Sequence, residues 1–252
     1  MRPAPSSTVR FVSQRGYTLV EILVALVLGL FLVAGVLMIV QDNRRVFGNQ
    51  TQLAQLQDSE RLAMTMITDV IQSAGYYPNP AVNPATAFLT NSAPFALGQS
   101  ITGTGAYTDA APGDTIAVRY ATQSGDGILT CAGFSNTSGG TLTYVNSFSV
   151  VVNAQGVSQL VCTVGGTAYP LVSNVLNLQI RYGVTRNAAS GDSVDTYVED
   201  AAQMTAADWS NVRSVTVSLV FQNPMANQPG QPATLTFTRV VDLMGAGGVS
   251  IT

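Results

Sequence analysis

Apolar and polar positions divide the chain into three textures. Residues 1–16 are polar and carry Arg2, Arg10 and Arg15 with no acid among them. From Thr18 to Val40 the side chains are almost wholly apolar for 23 residues, with one charge, Glu21. A helix of that length spans the hydrocarbon core of a bilayer. Beyond it, Val46, Leu53, Leu56, Ala63, Ile67, Ile71 and Ala74 recur at helical spacing, while Asp58, Glu60, Arg61 and Asp69 fall mostly on other faces. No Pro occurs between Tyr17 and Pro78, and Gly75 is placed to cap a helix end. The pattern predicts one helix from Tyr17 to Ala74, transmembrane over 17–41 and amphipathic over 42–75. Gly29, Gly35 and Gly48 weaken it locally. Ala25 and Gly29 form a small-xxx-small pair suited to close helix packing, although glycine is also common in membrane helices generally.

After Gly75 the texture changes. Pro78, Pro80 and Pro84 mark a loop, and residues 76–252 read as strands joined by polar turns. Alternation predicts strands at Thr115–Thr122, Leu142–Val152, Ser158–Val164, Val175–Tyr182, Val212–Gln222 and Thr234–Asp242. Turns are expected at Ser138–Gly140, Asn153–Gly156, Gly165-Gly166 and Asn223–Pro232. No helical pattern recurs between the strands, so an antiparallel sheet is expected. The fold class is α+β: a long N-terminal helix packed on an antiparallel β-sheet domain.

Composition narrows the chemistry. All eleven basic residues are Arg, neither Lys nor His occurs, and charged residues make up only 10% of the chain. Without His there is no Ser-His-Asp or Cys-His nucleophile system and no His-based metal site. Two Cys cannot make a four-thiolate centre. No catalytic residue, metal or cofactor is assigned, and the chain reads as a non-enzyme. The basic residues do not cluster, so a nucleic-acid partner is not indicated.

The N-terminal segment carries the sharpest chemistry. No small-residue cleavage site follows the apolar run at Met38–Asp42, so a cleaved secretory signal fits poorly. An ordinary signal anchor is the plain reading, its basic leader inside, with Arg44 and Arg45 weakening that bias without reversing it. Glu21 costs about 2.5 to 3.5 kcal/mol inside an apolar span, so it either snorkels at the membrane edge or marks a partner. The string Arg15-Gly16-Tyr17-Thr18-Leu19-Val20-Glu21 resembles the type IV prepilin motif, with Tyr17 where Phe is usual. That resemblance implies a leader over 1–16, cleavage between Gly16 and Tyr17 by a prepilin peptidase on the cytoplasmic side, and N-methylation of Tyr17. It also implies that Glu21 pairs with the Tyr17 amine of a neighbouring subunit, which suits a buried carboxylate in need of a cation.

The remainder resembles the PilW family of minor pilins. The resemblance is carried by Gly113–Tyr120, Pro170–Val175, Ile180–Gly183, the Gln72–Tyr76 helix end, the two Cys, and Trp209 with Val212 and Arg213. The C-terminal run Leu243–Gly248 departs from the family. The resemblance implies a pilus-assembly subunit held in the inner membrane by one span, its domain in the periplasm, and incorporated into the fibre, with the tip as one location. Its implied partners are other minor pilins, the major pilin, the prepilin peptidase, the inner-membrane assembly platform and membrane lipid. A J-type pseudopilin of type II secretion shares the plan, and a permanently anchored adhesin or receptor is the rival class. Cys131 and Cys162 read either as one bridge, joining neighbouring strands or a loop to the sheet, or as two separate buried thiols. A bridge would stabilise by roughly 3 to 4 kcal/mol. Asp192, Asp195, Glu199 and Asp200 crowd one loop, readable as a calcium site without EF-hand spacing or as a solvated loop. Tyr76, Tyr77, Tyr197 and Trp209 suit either a binding face or ordinary packing.

Overall fold

The computed structural model describes residues 16–79, 81–82, 87–110, 112–187, 189, 191 and 193–244. The leader before Gly16, Pro80, Pro84, Asp192 and the tail from Gly245 on lie outside the described residues. By contacts the chain forms two compact units, divided between Thr51 and Gln52.

The first unit is helical. Helix α1 runs Leu19–Gln72, slightly inside the predicted Tyr17–Ala74, and continues past the division. Within this unit the apolar side chains from Leu19 to Val40 are exposed all round. This is one helix long and apolar enough to cross a membrane. Val46, expected on the buried face, is 53% exposed instead. The helix acquires an inside only further on, because sequence periodicity does not say where a helix meets its core.

In the second unit α1 buries Leu56, Ala63, Met64, Ile67, Val70 and Ile71. The spacing is that of one helical face. Met64 and Val70 join it as the unpredicted members. The helix closes through Ala74 N–H to the Ile71 carbonyl, and Gly75 turns with φ +76°. Its N–H leaves the helix and donates to the Arg119 carbonyl on the sheet. Gly75 thus ends the helix and joins it to the β domain in one step.

The β domain holds two antiparallel sheets where one was expected. The first has strand order β1-β2-β3-β4-β5: β1 Ile101–Thr104, β2 Thr115–Gln123, β3 Thr141–Val152, β4 Ser158–Val164 and β5 Thr167–Ser173. The second has order β7-β6-β8-β9: β6 Val175–Val184, β7 Thr196–Val198, β8 Val212–Gln222 and β9 Thr234–Asp242. The six predicted strands are present within two residues at each end. Short β1, β5 and β7 were not predicted. Nor was the five-residue helix α2, Ala206–Ser210, which the Thr205–Asp208 capping box starts. Four residues or fewer give alternation too little length to register, and Pro170 obscures β5.

One core joins the helix to both sheets. Leu178, Ile180 and Tyr182 of β6 lie opposite Leu219, Val217 and Val215 of β8, Val184 follows after a register shift, and all four share one core cluster with the buried face of α1. The two sheets are stitched together by Gly113 and Asp114, just ahead of β2. Gly113 bridges to Leu178 with φ +91°, and a Cβ there would overlap Asn177 Oδ1 and the Leu178 carbonyl. Asp114 donates its own N–H to the Leu178 carbonyl (2.7 Å). Its carboxylate accepts from Ile180 N (2.7 Å) and Tyr107 N (3.3 Å). Burial pushes the Asp114 carboxyl above its usual range, and these backbone donors pull it partly back.

Candidate assembly site

The start of α1 is set by Thr18. Glu21 N–H donates to the Thr18 carbonyl (3.1 Å) and to Thr18 Oγ1 (3.3 Å), and Ile22 N–H reaches the same carbonyl. Thr18 is therefore an N-cap, and Glu21 is the third helical residue, inside the first turn. The N-terminal end of a helix dipole favours a carboxylate there. The Thr-x-x-Glu spacing carries this capping signal, which the sequence reading passed over in favour of a membrane role for Glu21. Gly16 and Tyr17 precede the cap in non-helical backbone, and Tyr17 is 79% exposed. Glu21 is exposed, and among the described residues no cation is paired with it. The three residues singled out at this end thus form one continuous accessible element: a peptide bond outside the helix, the residue after it, and a carboxylate one turn inside.

The other candidate residues separate. Cys131 and Cys162 form a disulfide that ties the loop between β2 and β3 to the centre of β4, so the loop-to-sheet reading holds. Cys131 N–H donates to Asn146 Oδ1 of β3 (2.9 Å), fixing the same loop a second time. The acidic loop is not a ligand shell among its described members. Asp195 accepts the N–H groups of Arg186 and Asn187, and Glu199 pairs with Arg181 at 2.8 Å. Asp200 caps the short 3-10 turn Ala201–Gln203. Trp209 is packed edge-on against Tyr182 at 4.8 Å in the core, Tyr77 stacks on Phe88, and Tyr76 and Tyr197 remain partly open.

A buried arginine went unrecognised. Arg119 on β2 is 2% exposed. Its guanidinium donates to the carbonyls of Gln99, Thr90 and Ala96 and lies 4.7 Å over the Phe95 ring. Burial lowers its pKa. One side chain thereby holds the loop from Thr90 to Gln99 by its backbone. The sequence offered a signal only in hindsight: an Arg in the middle of an otherwise apolar strand needs partners.

Two family models match the chain. One, type IV pilus-assembly protein W, covers residues 147–244; the other, the prokaryotic N-terminal methylation motif, covers residues 12–37. Together the two matches support a type IV pilin of the PilW family. No curated protein and no solved structure matches it. The PilW match spans the second half of β3 through β9 and so takes in the whole second sheet. The methylation motif covers Gly16, Tyr17, the Thr18 cap, Glu21 and most of the exposed apolar helix. This architecture of apolar N-terminal helix and antiparallel sheets is pilin-like, the two matches support a type IV pilin role in pilus assembly, and the methylation motif with the apolar helix fits a single-pass anchor.

Proposed function

We propose that the chain is a minor pilin that helps initiate the type IV pilus. The prepilin peptidase cuts between Gly16 and Tyr17 and methylates the Tyr17 amine. The helix then holds the protein in the inner membrane, with the domain in the periplasm. Other minor pilins join it there in a small complex, with the major pilin, the assembly platform and lipid around them. Glu21 takes the Tyr17 ammonium of a neighbouring subunit.

The observation that carries this reading is the placement of Glu21. It is the one charge in an apolar helical run whose side chains all lie exposed, one turn from an accessible Gly16–Tyr17 bond. Membrane accounts for the apolar surface but not for a carboxylate within it, whereas a neighbouring apolar helix that brings its N-terminal ammonium accounts for both.

The decisive measurement is the N-terminal sequence and mass of the mature protein from membranes and sheared fibres. A start at N-methylated Tyr17 is expected. An intact Met1 terminus in cells with active peptidase would transfer the case to a permanently anchored receptor or adhesin. Glu21 also stands at capping-box spacing from Thr18, the N-cap of α1, and Glu21→Gln separates this helix-start role from the pairing. Gln serves a capping box as well as Glu does but cannot neutralise an ammonium. The variant is expected to stay in the membrane at normal level yet fail to enter fibres, as is Glu21→Ala. Normal incorporation of Glu21→Gln would leave Glu21 only its role at the start of the helix.

A further inference from the structure

We propose that β9 is an assembly edge, extended in the pilus by an edge strand of a neighbouring pilin-type subunit. The proposal rests on the assembly reading above and adds a second contact to it, away from the N-terminal helix.

Among the described residues the two sheets have four edges, and three are blunted. Strand β1 has four residues and is covered by the 3-10 turn and α2. Strand β7 has three. Strand β5 carries Pro170 and pairs with β4 through a register shift. These are the usual devices against edge-to-edge pairing. Strand β9 uses none of them. Its nine residues pair with β8 without interruption, and Thr234–Asp242 contains no Pro.

The ladder shows which groups are unused. Asn223 N–H donates to the Ala233 carbonyl at one end of the pair, and Leu243 N–H donates to the Arg213 carbonyl at the other. Hydrogen-bonded pairs alternate along an antiparallel ladder. The odd-numbered residues of β9 therefore bond to β8. Thr234, Thr236, Thr238, Val240 and Asp242 turn their N–H and C=O outward, and none of these groups has a backbone partner among the described residues. The same five side chains are exposed, while Leu235 and Phe237 on the other face are half-buried against the core.

The sheet's parity identifies the occupant. With four antiparallel strands, β7 and β9 run in opposite directions. A neighbour of like fold, held in the same orientation, presents to β9 a strand antiparallel to it with matching faces. A two-fold copy pairing β9 with β9 would reverse the direction of the second subunit's sheet and helix. The chain's own β7 offers three residues, so the longer partner is another subunit's edge. Arg239 and Asp242 are the only charges on β9, so the incoming strand is neutral and alternates, apolar on the Leu235–Phe237 face.

The test uses the full-length protein. Amide exchange is measured on the single chain in detergent and on the chain in sheared fibres. Thr236, Thr238 and Val240 amides are expected to exchange freely in the first and slowly in the second. Thr236→Pro deletes an outward N–H and leaves the β8 ladder intact. It is expected to keep the Cys131–Cys162 disulfide and protease resistance but to enter fibres about tenfold less, as loss of a ladder bond with a steric block implies. Thr236→Val, which keeps the N–H, is expected to enter normally. Equal exchange in both preparations would overturn the proposal, as would normal incorporation of Thr236→Pro. Slow exchange already in the single chain would overturn it too, because the chain itself would then cover the edge. Absence of the wild-type chain from fibres would sink the assembly reading first.

Discussion

Arg119 and the Gly113-Asp114 pair show how much single residues decide here. Among the described residues Arg119 has no carboxylate partner, and its charge is dispersed over three carbonyls and one ring. Such bonds hold only while all are made, because each carbonyl left behind in the interior is a cost. Arg119→Met is expected to lower stability by roughly 2 to 4 kcal/mol in chemical denaturation and to expose the loop from Thr90 to Gln99 to proteolysis. A loss too small to measure would show that the loop folds without its anchor. Gly113 allows no side chain for a different reason. Its positive φ and the atoms of Asn177 and Leu178 both oppose a Cβ.

Among the elements, the loop between β2 and β3 owes its order to ties rather than to regular structure. Besides the disulfide, the Tyr120 hydroxyl donates to the Leu129 carbonyl and Thr130 N–H to the Phe134 carbonyl. The cross-link closes a sequence separation of 31 residues. Removing it in the Cys131→Ser, Cys162→Ser double variant is expected to cost roughly 3 to 4 kcal/mol, read as a shift in denaturation midpoint. An unchanged midpoint would mean that the hydrogen bonds already hold the loop. A second strap, the chain from Gly105 to Ala110, lies over the polar face of β6 and β8. Gln179 and Asn177 donate to the Thr108 carbonyl, and the Arg181 guanidinium lies over Tyr107. That strap explains why β8 is buried on both faces although its sequence alternates.

For the molecule as a whole, the absence of His leaves no side chain with an ordinary pKa near neutrality, so stability is expected to be flat from about pH 5 to 8. The acid limb belongs in part to Asp208, whose carboxyl the Arg186 guanidinium holds down to about 2. A depressed acid contributes stability above its unfolded value and loses it as pH falls towards 2. Asp114 has the opposite sign: its raised pKa favours the fold below about 4 and works against it once ionised, so it softens the acid limb. On the alkaline side, burial pushes Tyr120 up to about 12 and Tyr182 further. Their contribution is present below about pH 10 and is lost as pH rises through those higher values. Denaturation midpoints against pH check this. In Asp208→Asn the fall below pH 4 is expected to shrink, and an unaltered acid limb would place it in other groups.

The sequence alone determined what local physics determines. An apolar run of bilayer length, Gly75 at the helix end and six strands each declare themselves within a short stretch of chain, and the structure has a helix over that run, the Gly75 turn and the six strands. The prepilin motif was legible for the same reason, being seven consecutive residues. What only the tertiary structure decided depends on distant pairings. The joining of the two sheets hangs on Gly113 and Asp114 meeting Leu178 and Ile180, more than sixty residues away. Arg119 found its partners in a loop that has no pattern. The free edge of β9 is a property of strand order, which no stretch of sequence contains. Alternation gives each strand its faces, but which strand lies beside which, and which is left with no neighbour, is fixed only when the core closes.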